Sequence, residues 1–114
     1  MPTPMTSRER VLAALSHREP DRIPIDLGST RDSSIVADGY ERLKRHFGVE
    51  APTRLSSRMM QVVEVDERIL TALGIDTRAV LPPAPLRGAD EEVGPDGYRD
   101  EWGVVRVKPE GALY

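Results

Sequence analysis

The stretch Glu19-Pro20-Asp21-Arg22-Ile23-Pro24-Ile25-Asp26-Leu27-Gly28-Ser29-Thr30-Arg31 restricts this chain most, because a short apolar run passes directly into small polar residues. Pro24 has no N–H to give to a sheet ladder, so it belongs at the start of a strand, and the β-prone segment is only Ile23 to Leu27. Gly28 can take backbone angles closed to other residues. Ser29, Thr30, Asp32 and Ser33 can bond neighbouring amides, so the chain turns where the strand ends. In α/β folds ligands are met at that end of a strand. Arg31 is the side chain this reading places there, since its planar fork can clamp a carboxylate or phosphate, and Asp26 and Asp32 flank it. The alternative is that Arg31 pairs with Asp32 or stands in solvent.

On either side of this stretch the sequence spells out helices. Thr6-Ser7-Arg8-Glu9 has the form of a capping box, and Val11, Leu12 and Leu15 follow on one helical face, which predicts a helix from Thr6 to about His17. Pro20 disfavours helical angles at Glu19 and stops it. Val36, Tyr40, Leu43 and Phe47 form the stripe of a second helix, with Gly48 at its C′ position. Arg42, Lys44, Arg45 and His46 crowd its last turns, as the helix macrodipole favours, and read as a solvated face. His46 and His17 therefore read as helix-end residues and not as ligands.

From Ser56 to Leu73 the apolar positions fit a further helix, which the β-prone Val62-Val63-Glu64-Val65 can interrupt, leaving Asp66 as N-cap of a shorter one ending at Gly74. Ile75 to Leu81 reads as a second strand, closed by Pro82-Pro83-Ala84-Pro85. Strand, helices and strand make a crossover unit, which implies parallel pairing with a right-handed connection. Asp76 sits at the start of that strand, where chemistry is not expected. Gly94-Pro95-Asp96-Gly97 is a turn signal, and Tyr98 to Glu101 and Val104 to Lys108 read as an antiparallel hairpin across Trp102-Gly103, with Trp102 as its core anchor.

Composition narrows the functional classes. The net charge of −3 argues against a nucleic-acid partner, although all sixteen basic residues except Lys44 and Lys108 are Arg. No cysteine is present, so these residues supply no disulfide, thiolate zinc site or cysteine nucleophile. Met1 to Arg10 lacks the apolar core of a signal peptide, and no run approaches the roughly 18 apolar residues of a membrane span; a cytoplasmic protein without a membrane partner is expected.

The ordered set Thr6 to Leu15, His17 to Pro24, Leu73 to Arg78, and Asp96-Gly97-Tyr98-Arg99-Asp100-Glu101-Trp102-Gly103 resembles the amino-terminal part of the uroporphyrinogen decarboxylase superfamily, closest to its corrinoid-dependent methyltransferase branch. The resemblance implies an α/β chain that forms the N-terminal fragment of a (β/α)8 TIM barrel with an antiparallel β-hairpin insertion. Residues 5–93 would be the helix-strand and crossover unit, and residues 94–114 the insertion. A complete barrel takes roughly 250 residues, and this chain has 114.

Decarboxylases of this family remove carboxylates from porphyrinogen acetate groups without a cofactor, whereas its methyltransferases use zinc and a methylated corrinoid. The decarboxylase loop of Arg-Gln-Ala-Gly-Arg type is replaced here by Leu27-Gly28-Ser29-Thr30-Arg31, and the aspartate past the second strand by Leu81-Pro82-Pro83-Ala84-Pro85. No catalytic residue and no cofactor site is expected within this chain. Zinc and corrinoid would belong to a full-length methyltransferase, whose His and Cys ligands lie downstream. Substrate binding is assigned to Arg31, Asp26 and Asp32, for a small anionic or tetrapyrrole-related ligand. The chain alone is expected to be inactive and to self-associate through an exposed sheet edge. An alternative of another class is a non-catalytic module that binds a partner through the same apolar faces.

Overall fold

The computed structural model describes residues 3–83, 88 and 90–112. It is a mixed α/β arrangement of three helices and two small antiparallel sheets, in the order α1 (Ser7–Leu15), α2 (Ala37–Phe47), β1 (Leu55–Ser57), β2 (Val62–Val63), α3 (Glu67–Ala72), β3 (Glu91–Glu92), β4 (Gly97–Arg99) and β5 (Val105–Val107). No closed barrel is present, and none of the helices is long and apolar enough to cross a membrane among the described residues. The radius of gyration is 17.6 Å and the longest axis 60 Å. A compact chain of this length would give about 13 Å, so the molecule is drawn out.

Helix α1 starts as its sequence dictates. The Thr6 hydroxyl accepts the Glu9 N–H at 3.3 Å, and the Glu9 carboxylate accepts the Thr6 N–H at 2.8 Å. The helix closes at His17, which takes φ +53° while Arg18 donates back to the Ala13 carbonyl at 2.9 Å. The expected apolar face is not the buried one. Leu12 and Leu15 stand in solvent, and α1 is held instead through Ala13 and Arg10.

Helix α2 supplies the centre of the core. Tyr40, Val49, Val63 and Ile69 are buried together, with Ile35, Leu43, Phe47 and Val65 against them. Burying a side chain of the size of Ile69 contributes roughly 2 kcal/mol. The Tyr40 hydroxyl also accepts the Asp66 N–H at 2.8 Å, which fixes the entry of α3. Gly48 ends α2 in the left-handed region, as its position predicts. Lys44 departs from the expected solvated face: its Nζ is drawn in to the Ala51 carbonyl at 2.8 Å and pairs with Glu41 at 2.9 Å.

A single helix over Ser56 to Leu73 does not form. Leu55–Ser57 and Val62–Val63 pair as an antiparallel hairpin, and Asp66 caps the six-residue α3 by accepting the Arg68 N–H at 2.9 Å. The paired valines decide this, because β-branched side chains pack well on a half-buried pleated surface and lose rotamer freedom in a helix. The Val63 N–H bonds the Ile35 carbonyl at 3.1 Å and ties the hairpin to the approach of α2.

The expected strands at Ile23 to Leu27 and Ile75 to Leu81 do not form a ladder, and Leu27 lies in a bend. Their one main-chain bond runs from the Asp76 N–H to the Ile25 carbonyl at 2.8 Å. Pro24 gives no donor, and the Ile25 N–H goes to the Asp76 carboxylate at 2.9 Å in place of a backbone carbonyl. The contacts Arg22 with Gly74, Ile25 with Asp76 and Asp26 with Thr77 rise together in number, so the two segments run in the same direction. Of the Pro82-Pro83-Ala84-Pro85 stretch expected to close the second strand, Ala84 and Pro85 lie outside the described residues.

The predicted hairpin pairs Gly97–Arg99 with Val105–Val107, and β3 adds a third strand that the sequence did not announce. Trp102 is not its anchor. It sits in the turn at 81% exposure, while Tyr98, at 9%, fills the buried position on the sheet. A turn residue has no facing strand to pack on, whereas Tyr98 lies on the central strand between two neighbours.

Candidate functional site

The loop after Leu27 is built by its own short side chains. Gly28 has φ +80° and its N–H bonds the Ser33 carbonyl at 3.0 Å; a Cβ there would meet a Val65 methyl at 3.1 Å. Thr30 and Ser33 bond reciprocally, the Thr30 N–H giving to the Ser33 hydroxyl and the Ser33 N–H to the Thr30 hydroxyl, each at 3.2 Å. Asp26 accepts the Ser29 N–H at 3.3 Å and the Thr77 hydroxyl. Partial burial raises the Asp26 pKa, but the hydroxyls of Thr77 and Ser33 and the Ser29 donors outweigh it and hold the carboxyl below its ordinary value.

Of the three predicted binding residues, the structure brings only Asp26 across to the second segment. Arg31 and Asp32 are exposed, and among the described residues they form no ion pair with each other or with Asp26. The cation that lines the adjoining cavity is Arg78. The cavity holds about 310 Å³ and is bounded by Leu27, Gly28, Val65, Leu70 and Leu81. Arg78 grips Glu67 through Nε and Nη2, both at 2.8 Å, and donates to the Ile75 carbonyl at 2.8 Å. No sequence signal separated Arg78 from the other arginines, because its role depends on α3 folding back over the second segment.

Another constellation lies at the opposite end of the two segments. The buried Arg10 guanidinium bonds Asp21 through Nε at 2.6 Å and Nη2 at 2.9 Å, Asp76 through Nη1 at 2.5 Å, and the Met5 carbonyl at 2.7 Å. Arg22 reaches the same Asp76 carboxylate at 2.6 Å and 3.1 Å and the Gly74 carbonyl at 3.0 Å. The Asp76 side chain is fully enclosed, at 0% exposure. Burial pushes its pKa up, but the Ile25 N–H, Arg22 and Arg10 hold it far below the usual carboxylate range. Arg10 holds Asp21 at about 2, against burial and with help from the Met5 and Arg22 N–H groups.

Among the described residues no buried side-chain polar atom, in this cluster or elsewhere, lacks a partner. The four residues therefore form a clamp that joins α1 to both segments. They hold no free acid or base for chemistry. Asp76, which stands where no chemistry was expected, is the centre of that clamp.

A zinc centre finds no ligand set here. Cysteine is absent, and no group of three His, Asp or Glu that could hold a metal lies among the described residues. Compared with protein-family models, curated proteins and solved structures, the chain matches none.

Proposed function

We propose that this chain is the N-terminal portion of a uroporphyrinogen decarboxylase-family protein, of decarboxylase or methyltransferase type, and that by itself it carries neither activity. The observation that supports the reading is the pairing of Asp76 with Ile25, which brings residues 22–26 alongside residues 74–77 in the same chain direction. Ile23 at 81% exposure and Val80 at 95% stand in solvent. Apolar side chains on a layer with only two segments are what the first third of a parallel barrel leaves uncovered. Two strands of the three-stranded sheet, β4 and β5, fall within residues 94–114, read as the insertion, while β3 lies just ahead of it.

Full length, the site would be the end of the layer at Gly28, where Asp26, Arg31 and Asp32 meet a small anionic or tetrapyrrole-related ligand. Inactivity of the isolated chain follows from its open wall. Water is not excluded, and charged groups lack the low-dielectric setting in which they act on a transition state. The exposed β5 edge, with Val105 at 44% and Val107 at 64% exposure, also supports a non-catalytic partner-binding module and self-association.

Light scattering on the purified chain together with an assay of porphyrinogen carboxylate loss tests this. Association without turnover is expected. A compact monomer that turns over substrate would overturn it. Reading the coding sequence downstream separates the two remaining functions: a His-x-Cys pair and a later Cys would assign methyl transfer.

A further inference from the structure

Among the described residues, the three-stranded sheet is hydrogen-bonded and ion-paired to the rest of the molecule through one side chain, that of Arg58. Its guanidinium meets Glu92 through both terminal nitrogens, Nη1 at 2.7 Å and Nη2 at 2.8 Å, with Asp90 at 3.8 Å. It also lies 4.2 Å over the centre of the Tyr98 ring. A bidentate, stacked arginine is directional, and a lysine cannot reproduce it.

The turn that presents Arg58 is itself fixed. The Gln61 side-chain amide donates to the Arg58 carbonyl at 2.7 Å, and Gln61 takes φ +53°, a region that costs a non-glycine residue energy. Met60 N–H is held by the Ser57 hydroxyl at 3.2 Å. Between this turn and the sheet lies a cleft of about 950 Å³, with Arg58, Met59 and Gln61 on one wall and Tyr98, Arg106 and Pro109 on the other.

We propose that the sheet of β3, β4 and β5 is a movable arm latched over this cleft by Arg58, and that breaking the Arg58–Glu92 pair frees the arm and opens the cleft. The arm keeps its own fold when released, because its strands bond to one another and Asp100 braces its turn, accepting from the Val104 N–H at 2.9 Å and the Trp102 N–H at 3.0 Å.

The chain has no cysteine, so a spin-label pair at Glu50→Cys and Glu101→Cys, both exposed, reports the arm without background. The parent pair is expected to give one narrow distance. Arg58→Ala should lose it to a broad distribution with the helical circular dichroism unchanged, and Arg58→Lys should not restore it. Glu92→Gln, which leaves Arg58 stacked on Tyr98, should broaden it less. Salt near 1 M, where charges are screened beyond about 3 Å, should act in the same direction as Glu92→Gln. A narrow distance retained in Arg58→Ala would overturn the latch. If Arg58→Ala loses its helical signal, Glu92→Gln decides, and an unchanged distribution there would overturn it equally.

Discussion

Ile25 and Asp76 exchange two hydrogen bonds across fifty-one residues of chain: the Asp76 N–H gives to the Ile25 carbonyl at 2.8 Å, and the Asp76 carboxylate takes the Ile25 N–H at 2.9 Å. A side chain thus does for one rung what a neighbouring strand would do in a sheet. The same carboxylate draws in Arg10 from α1 and Arg22 from the first segment, so one residue sets the position of three parts of the chain.

Asp76→Ala should therefore be among the most damaging single changes. It removes one of the buried Arg10's three partners, both Arg22 contacts to the carboxylate and the acceptor of the Ile25 N–H. Breaking a buried pair from one side costs about 3 kcal/mol or more. Urea denaturation should show a large fall in midpoint, and Asp76→Asn, which keeps the shape and loses the charge, should fall nearly as far.

Acid should loosen the same clamp. Asp21 titrates at about 2 in the folded chain, and an unfolded aspartate at about 3.9. A carboxylate depressed on folding stabilises above its unfolded value and loses that contribution as pH falls through its folded one. Stability should hold above about pH 4 and decline towards pH 2, with Asp76 extending the loss to lower pH still. Asp21→Asn should flatten the decline, measured as urea midpoint against pH.

Tyr40→Phe isolates the hydroxyl that holds α3. The ring stays packed, but the Asp66 N–H loses its acceptor. A loss of about 1 kcal/mol is expected, and amide hydrogen exchange should quicken in residues 66–72 before it does in α2.

Arg31→Ala should leave the melting temperature of this chain unchanged, since Arg31 is exposed and unpaired among the described residues. In a full-length protein it should weaken binding of an anionic substrate, read by titration calorimetry. Equal loss of stability and binding would mark Arg31 as a structural cation.

The legible parts of this sequence were those fixed by neighbours in the chain. The Thr6 and Glu9 capping box, the Tyr40 stripe, Gly48 and the Asp66 cap all act within four residues or so, and each is where its chemistry puts it. The strands expected at Ile23 and Ile75 did not form, because a ladder depends on partners elsewhere in the chain. Nothing in the sequence marks Arg10; only Asp21 and Asp76, brought to it by tertiary folding, make it the buried cation. Trp102 was misassigned by size, since a large ring in a turn has nothing to pack on. At the candidate site, Asp26 came with its loop, while Arg78 depended on α3.

The direction of the two segments tests the account most directly. On the proposed reading, a crystal structure of the full-length family protein should place Ile23 to Leu27 and Thr77 to Leu81 as adjacent parallel strands of one sheet, with Ile23 and Val80 covered and the β3–β5 sheet outside it. Antiparallel pairing of those two segments, or their separation into different sheets, would contradict it.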